Sequence, residues 1–253
     1  MRRIYAFFIS LQLFLIISVL KVHAQDTIIF PLKIKVGLEV SGPVIYFIEK
    51  NNLIAEGFIS ADINEKYAAV LNAGYADYSY SQYNYEYLTN GIFIRAGADI
   101  NLLQPKKSLG KYWVGTGLRY GISHFSSEVP KFGQDTYYGT ITSSIAPRTD
   151  WVHFFEFSPG VRAEVFKNFS IGWTISLRML LYSTTSKDLR PIYVPGFGNS
   201  GKLLSAGMSY FISWNIPYKK IRVIIRKEEP EETGDTGNTD TSGNRQQSSG
   251  IRQ

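Results

Sequence analysis

Apolar and polar residues alternate through most of this chain, and that alternation is the strongest pattern in its sequence. In residues 32–41 every even position is apolar, and the odd positions are Lys, Lys, Gly, Glu and Ser. A β-strand places alternate side chains on opposite faces, so this period of two predicts a strand with one apolar and one polar face. Eight segments show the pattern: residues 32–41, 55–63, 67–77, 91–102, 112–122, 153–166, 169–181 and 204–216.

The segments have the length that a tilted strand needs to cross a bilayer, roughly 9–11 residues or slightly more. Their connections alternate between short (64–66, 103–111, 167–168) and long (43–52, 78–90, 123–152, 182–203). Short turns on one side and long loops on the other are typical of barrels in the bacterial outer membrane. The predicted fold is therefore all-β, an antiparallel up-and-down transmembrane β-barrel of eight strands, with both termini in the periplasm.

An additional hairpin within residues 131–145 is an alternative that the pattern leaves open, and ten strands would then be possible.

The two faces of the predicted strands differ in charge, and this difference indicates which face meets lipid. The apolar faces carry almost no charged residues. The opposite faces carry charges of both signs, spaced by Gly and Ser, and are predicted to line the lumen. The predicted lumen cluster comprises Glu39, Glu56, Asp62, Arg95, Asp99, Arg119, Glu156, Arg162, Glu164 and Arg178.

The glycine content of the polar faces favours this prediction over a soluble, lipocalin-like barrel, in which the apolar face would be the core. Glycine weakens a solvent-facing strand, whereas the crowded interior of a small barrel needs small residues beside large ones. Aromatic residues also gather near the predicted strand ends, as in the interfacial belts of membrane proteins. These are Tyr67, Tyr112, Trp113 and Trp214 on the turn side, and Tyr75, Tyr120 and Tyr182 towards the loops.

The two ends of the chain differ from the barrel region, residues 25–217. Residues 1–24 have a basic start, an apolar stretch and small residues before Gln25, which is the layout of a secretory signal peptide. The tail, residues 218–253, begins with a basic and apolar stretch at 219–226, which is interpreted as a further short strand or a periplasmic anchor. Residues 227–253 are acidic and polar, with almost nothing apolar. Such a composition cannot bury a core and predicts a mostly disordered periplasmic tail.

Composition excludes several classes of protein. The chain has no Cys, so disulfides, thiolate catalysis and Cys-ligated metals are excluded. The formal charge of +6 suggests nucleic acid. However, half of that excess comes from three basic residues in the predicted signal peptide, so no nucleic-acid partner is expected. No metal or cofactor motif is present, and no cofactor is predicted.

Two glycine-rich motifs resemble those of small outer-membrane β-barrels of Gram-negative bacteria. They are Gly-Leu-Arg-Tyr-Gly at 117–121 and Gly-Val-Arg-Ala-Glu at 160–164. The resemblance covers roughly residues 30–217 and is to the OmpA/OmpX/OmpW-like group, in particular to an uncharacterised barrel family. It implies insertion into outer-membrane lipid.

The last predicted strand also resembles the assembly signal of such barrels. Ser205, Gly207, Tyr210 and Ile212 occupy its polar, glycine, aromatic and apolar positions. The resemblance implies recognition by the barrel assembly machinery. Many such proteins end with this strand, whereas this chain continues to residue 253.

Candidate chemistry is sparse. His124, Ser126 and Glu128 share one face at the outer end of the fifth strand. A His beside a Ser resembles the arrangement in outer-membrane lipid A deacylases, where the His is a base for the Ser nucleophile. We nevertheless expect no enzyme activity.

The lumen charges are expected to fill the barrel with ion pairs. A narrow channel or a small-ligand path through the lumen is the alternative. The Tyr-rich segment 78–87 predicts either an extension of the barrel wall or a recognition surface for a ligand outside the cell. A structural or surface-interaction role through the long loops is the resulting functional hypothesis.

Overall fold

The computed structural model describes residues 26–48, 50, 52–137, 139–185 and 191–225. The predicted signal peptide and the residues beyond 225 lie outside this range. The elements are β1 (Asp26–Glu39), α1 (Ser41–Ile48), β2 (Asn52–Asp62), β3 (Tyr67–Gln82), β4 (Tyr85–Asn101), α2 (Pro105–Ser108), β5 (Tyr112–Thr136), β6 (Gly139–Phe166), β7 (Phe169–Ser183), β8 (Tyr193–Val194), β9 (Gly198–Asn199) and β10 (Leu204–Ile225).

Eight long strands close into one antiparallel barrel, in the order β1, β10, β7, β6, β5, β4, β3, β2. The short strands β8 and β9 pair only with each other. The predicted eight-stranded antiparallel barrel is thus confirmed. One end of the barrel carries the short connections together with the start of β1 and the end of β10, and we call it the turn end. The opposite end is the loop end.

The outside of the barrel is apolar and the inside is polar. Leu118 and Ile92 face outwards and are 60% and 54% exposed, whereas the inward Arg95 and Glu156 are 3% and 0% exposed. A soluble barrel has the opposite polarity, because water favours charged side chains on the outside. Only hydrocarbon accommodates a belt of large apolar side chains around a charged interior.

No helix among the described residues is long and apolar enough to cross a membrane.

At the loop end, four strands extend beyond their neighbours. β3 and β4 remain paired as far as Gln82 and Tyr85, and β5 and β6 as far as Thr136 and Gly139. The segments 78–90 and 123–152, which the sequence placed in the long connections, are therefore largely strand. The wall extension predicted as one interpretation of 78–87 and the hairpin left open within 131–145 belong to this pairing. We call residues 78–90 and 123–150 the projecting sheet. The hydrophobic pattern ends near Trp151 because the projecting sheet lies beyond the apolar belt, but the backbone pairing continues.

At the turn end, β10 extends past the predicted limit of the barrel at residue 217. Residues 218–225 were assigned to the tail, with a further short strand as one interpretation of 219–226. They continue β10, and residues 219–225 pair with the beginning of β1. A register shift between Leu32 and Lys33 accompanies this extension. Leu32 was predicted to face lipid, but it is buried together with Phe30. The shift changes which side chains point inwards, and alternation alone does not reveal it.

Close packing inside the barrel explains one of the strand glycines. A Cβ added to Gly121 would lie 2.3 Å from the ring of Phe154 on the neighbouring strand. Phe154 is fully buried, so its ring has little room to move. Glycine at position 121 leaves the space that this aromatic side chain occupies.

Candidate functional site

The middle of the lumen is filled by a cluster of ion pairs centred on Glu156. This carboxylate projects inwards from β6 and is fully buried. It accepts hydrogen bonds from Arg119 at 2.9 Å and Arg178 at 2.8 Å, and it also pairs with Arg95. The three arginines lie on β4, β5 and β7, so the Glu156 side chain links four neighbouring strands of the barrel.

The same arginines reach two further carboxylates. Arg95 pairs with Glu56, and Arg119 donates to Asp99 at 2.9 Å. The Asn72 amide donates a hydrogen bond of 2.8 Å to Glu56. Three guanidinium groups therefore face three carboxylates, and the cluster is formally neutral. Buried charges are tolerated when they are paired in this way.

A second set of ion pairs lies at the turn end. Lys33 pairs with Glu164 and also donates to the Gly110 carbonyl at 2.8 Å. Lys35 pairs with Asp62. The predicted charges Asp62 and Glu164 are thereby joined to two lysines that the prediction had left out of the lumen cluster, although both lysines lie on the polar face of the first predicted strand.

The loop end of the lumen is closed by residues 191–199, which contain β8 and β9 and which we call the inserted hairpin. Its Val194 and Phe197 are buried against side chains of the barrel wall. Phe197 contacts Phe154 at a ring-centroid distance of 5.6 Å. The apolar cluster there consists of Phe125, Val152, Phe154, Val194 and Phe197, with Leu180 beside it.

Tyrosines and backbone contacts fix the inserted hairpin in place. The Tyr193 ring stacks on Tyr78 at 4.7 Å, and the Tyr87 hydroxyl donates to the Tyr193 carbonyl at 3.2 Å. Burial raises the pKa of Tyr193 to about 12, so its hydroxyl stays protonated at neutral pH. Gly196 has a φ of +73°, and a Cβ there would lie 2.4 Å from the ring of Phe93. The inserted hairpin therefore needs glycine at this position for two reasons.

The Tyr-rich segment is mainly part of the barrel wall. The Tyr80 and Tyr85 rings are diagonal neighbours on the β3–β4 pair, with their centroids 6.3 Å apart. Tyr78 and Tyr87 contact the inserted hairpin. Tyr83 differs, because it lies at the tip of the hairpin and is 96% exposed.

Two members of the predicted lumen cluster stand apart from the ion pairs. Glu39 accepts hydrogen bonds of 3.0 Å from the backbone N–H groups of Ser41 and Gly42, and so caps the start of α1. Arg162 lies with its guanidinium 5.2 Å from the ring centroid of Trp113. Trp113 was predicted to belong to the interfacial belt, but it lines the lumen with Arg162.

His124, Ser126 and Glu128 do not form a catalytic arrangement. The His124 ring lies 4.1 Å from the outward-facing Trp151 ring, and its Nδ1 atom has no hydrogen-bond partner among the described residues. Ser126 takes part through its carbonyl, which accepts a hydrogen bond from Thr89. Among the residues that the structure describes, no base is hydrogen-bonded to the Ser126 hydroxyl, so the geometry gives no support to a nucleophile.

The proposed assembly signal lies in the loop-end half of β10. Ser205 is buried, and Tyr210 faces outwards with Ile212 on the same face. Gly207 lies 3.3 Å, measured from an added Cβ, from the Arg178 guanidinium. Because β10 continues to Ile225, the match does not lie at the end of the last strand, and its recognition stays a prediction.

Within the part of the chain that the structure describes, no three His, Asp or Glu side chains are grouped to hold a metal ion.

A closed antiparallel barrel with an apolar outer belt and a lumen filled by paired charges defines a membrane-spanning β-barrel protein. Within that class, the chain belongs to the family described as a domain of unknown function (DUF6048), whose model matches residues 1–221.

No curated protein matches the sequence. Among solved structures, the chain is similar to Ail, the attachment invasion locus protein of Yersinia pestis, with 7% identity and a TM-score of 0.37, covering 77% of this chain and 99% of that chain. It is also similar to CarO of Acinetobacter baumannii, with 12% identity and a TM-score of 0.35, covering 75% and 98%.

Proposed function

We propose that this protein is an outer-membrane β-barrel with a closed lumen, and that its role is to present the projecting sheet to a protein partner outside the cell. The projecting sheet is the observation that carries the proposal. From Gly139 to Trp151, β6 runs for roughly 40 Å at the usual strand rise. A barrel that served only to span the membrane would not need this length.

Exposed apolar residues at the tips of the projecting sheet favour an interaction role. Tyr83 and Tyr137 are each 96% exposed, and Ile141 is 66% exposed. Tyr83 belongs to the β3–β4 hairpin and Tyr137 to the adjoining β5–β6 hairpin. Aromatic side chains in this position are typical anchors of protein–protein contacts.

The closed lumen favours this role over transport. The inserted hairpin blocks the loop end, the Glu156 cluster fills the middle, and the Lys33–Glu164 pair lies at the turn end. The interior of an eight-stranded barrel is only wide enough for side chains or one small ligand. A continuous path would require several of these contacts to break.

The orientation has a direct test, because the chain contains no Cys and single cysteines can be introduced without background. Tyr83→Cys at the loop end is expected to react with a membrane-impermeant maleimide on intact cells. Lys167→Cys, in the exposed turn at the opposite end, is expected to react only after the outer membrane is opened. Labelling of Lys167→Cys alone on intact cells would reverse the proposed orientation.

The partner surface is tested by photo-cross-linking in intact cells. A benzoylphenylalanine replacing Tyr83 or, in a second variant, Tyr137 is expected to give a protein adduct of discrete mass. The matched control carries the same group at Ile92, which faces outwards within the apolar belt. If positions 83 and 137 give no adduct, or the same adducts as position 92, the projecting sheet is not the interaction surface.

A further inference from the structure

Arg162 is the buried lumen cation that forms no ion pair with the described residues. It projects inwards from β6 and is 7% exposed. Among the described residues, its guanidinium contacts the Trp113 ring. The carboxylates of Asp99 and Asp62 act on it electrostatically. However, Asp99 accepts a hydrogen bond from Arg119 at 2.9 Å, and Asp62 pairs with Lys35.

Arg162 and Trp113 together separate two small polar cavities. The one towards the turn end has a volume of ≈ 40 Å³ and is also lined by Ser170 and Asn215, with four lysines (Lys33, Lys35, Lys66 and Lys111) and two carboxylates (Asp62 and Glu65). The one towards the Glu156 cluster has the same volume, and its lining includes the carboxylates of Glu39, Glu56 and Asp99 beside Asn72, Thr174 and Ser176. A cavity of this size holds a few water molecules or one ion of similar size.

We infer that a small inorganic anion of about the size of chloride binds to the Arg162 guanidinium in the cavity towards the turn end, where the lining cations outnumber the carboxylates. A guanidinium cannot lose its charge in a protein, so burial requires a compensating group. The neighbouring ion pairs are already neutral. Glu39 is the described lumen carboxylate outside those pairs, but it accepts hydrogen bonds from the Ser41 and Gly42 N–H groups at the start of α1 and forms no ion pair with Arg162. An anion supplies the compensation that Arg162 lacks, and the Ser170 hydroxyl in the same cavity can donate to it.

Water can satisfy the other polar atoms that lack a partner in the two cavities, but it does not neutralise the charge of Arg162. The Oδ1 atoms of Asn72 and Asn215 have no donor among the described residues. Both are acceptors, so water suits them and an anion does not. The guanidinium has only donors, and these suit the anion.

Trp113 provides a local reporter of the site. The chain has four tryptophans, and Trp151, Trp173 and Trp214 all face outwards. In a protein with these three replaced by Phe, refolded in detergent micelles, iodide bound to Arg162 would lie beside the remaining indole. We expect fluorescence quenching that saturates in the millimolar range of iodide and is competed by chloride. With Arg162→Gln, quenching is expected to rise linearly without a plateau.

A second measurement on the unmodified chain needs no substitution at Arg162. At constant ionic strength, replacing sodium gluconate with sodium chloride is expected to raise the urea midpoint of unfolding, with saturation, because the anion binds only the folded barrel. Gluconate is too large for either cavity. Equal midpoints in the two salts would overturn the anion site and leave water as its occupant. Saturable quenching that persists in Arg162→Gln would overturn the assignment to Arg162.

Discussion

Replacing Glu156 with Gln is expected to destabilise the barrel by about 3–5 kcal/mol, the usual cost of breaking a buried ion pair by removing one partner. Gln keeps the shape of the side chain but removes the charge that faces three guanidinium groups. Arg95, Arg119 and Arg178 would then share only Glu56 and Asp99. The measurement is the urea dependence of tryptophan fluorescence in micelles.

The same variant tests the closed lumen. The native barrel is expected to give no stepwise current in a planar bilayer, because the Glu156 cluster occupies the middle of the lumen. In Glu156→Gln the arginines repel each other, and brief openings become possible. Stepwise current in the native protein would contradict the closed lumen and support the narrow-channel alternative.

Glu164→Gln is the matched control for Glu156→Gln. Glu164 is also an inward carboxylate of β6, but its ion pair is with Lys33 alone and it lies near the turn end. Glu164→Gln is therefore expected to lower the free energy of unfolding clearly less than Glu156→Gln does. If both variants lower the free energy of unfolding equally, the three arginines around Glu156 do not make it more important for stability than Glu164.

The sequence predicted the strands and their faces because the chemistry of each position is local. A residue such as Leu118 must face lipid, and its neighbour Arg119 must not, so alternation determines both. The number of strands followed from the same pattern, since each crossing of the bilayer leaves its own segment of period two.

The ends of strands were not predictable in this way. Beyond the bilayer, the outward positions of a strand no longer need to be apolar, so the alternating pattern ends there. Hydrogen bonding between the strands continues past that point. The segment 123–152 was therefore predicted as a long loop, with an additional hairpin only within 131–145, although it continues β5 and β6. The bulge beside Leu32 depends on the pairing with β10, which is distant in the sequence.

The composition of the lumen was predictable, but its pairing was not. The polar faces identified Glu156 and its arginines as inward residues, yet which carboxylate meets which guanidinium depends on the stagger of the strands. The inserted hairpin was missed for a different reason. Residues 191–199 have no period of two, and only contacts such as Phe197 with Phe154 show that they are part of the interior.

Replacing Phe154 with Ala is expected to destabilise the protein by about 3–5 kcal/mol, as for other fully buried aromatic residues. Phe154 joins the barrel wall to the inserted hairpin through Phe197, and its ring also fills the space above Gly121. Removing it leaves a cavity that the rigid wall cannot close. In this variant the inserted hairpin should therefore detach from the barrel wall at a lower urea concentration than the one that unfolds the barrel.

Two comparisons separate this effect from a general loss of aromatic surface. Phe155→Ala removes the adjacent ring, which faces outwards and is 41% exposed, and lipid or detergent can replace it at a smaller cost. A Val194→Cys reporter, buried in the native protein, should react with maleimide faster in the Phe154→Ala background than in Phe155→Ala. If both backgrounds leave the cysteine equally protected, Phe154 does not hold the inserted hairpin in the lumen, and the closure must rest on the Tyr78 and Tyr87 contacts instead.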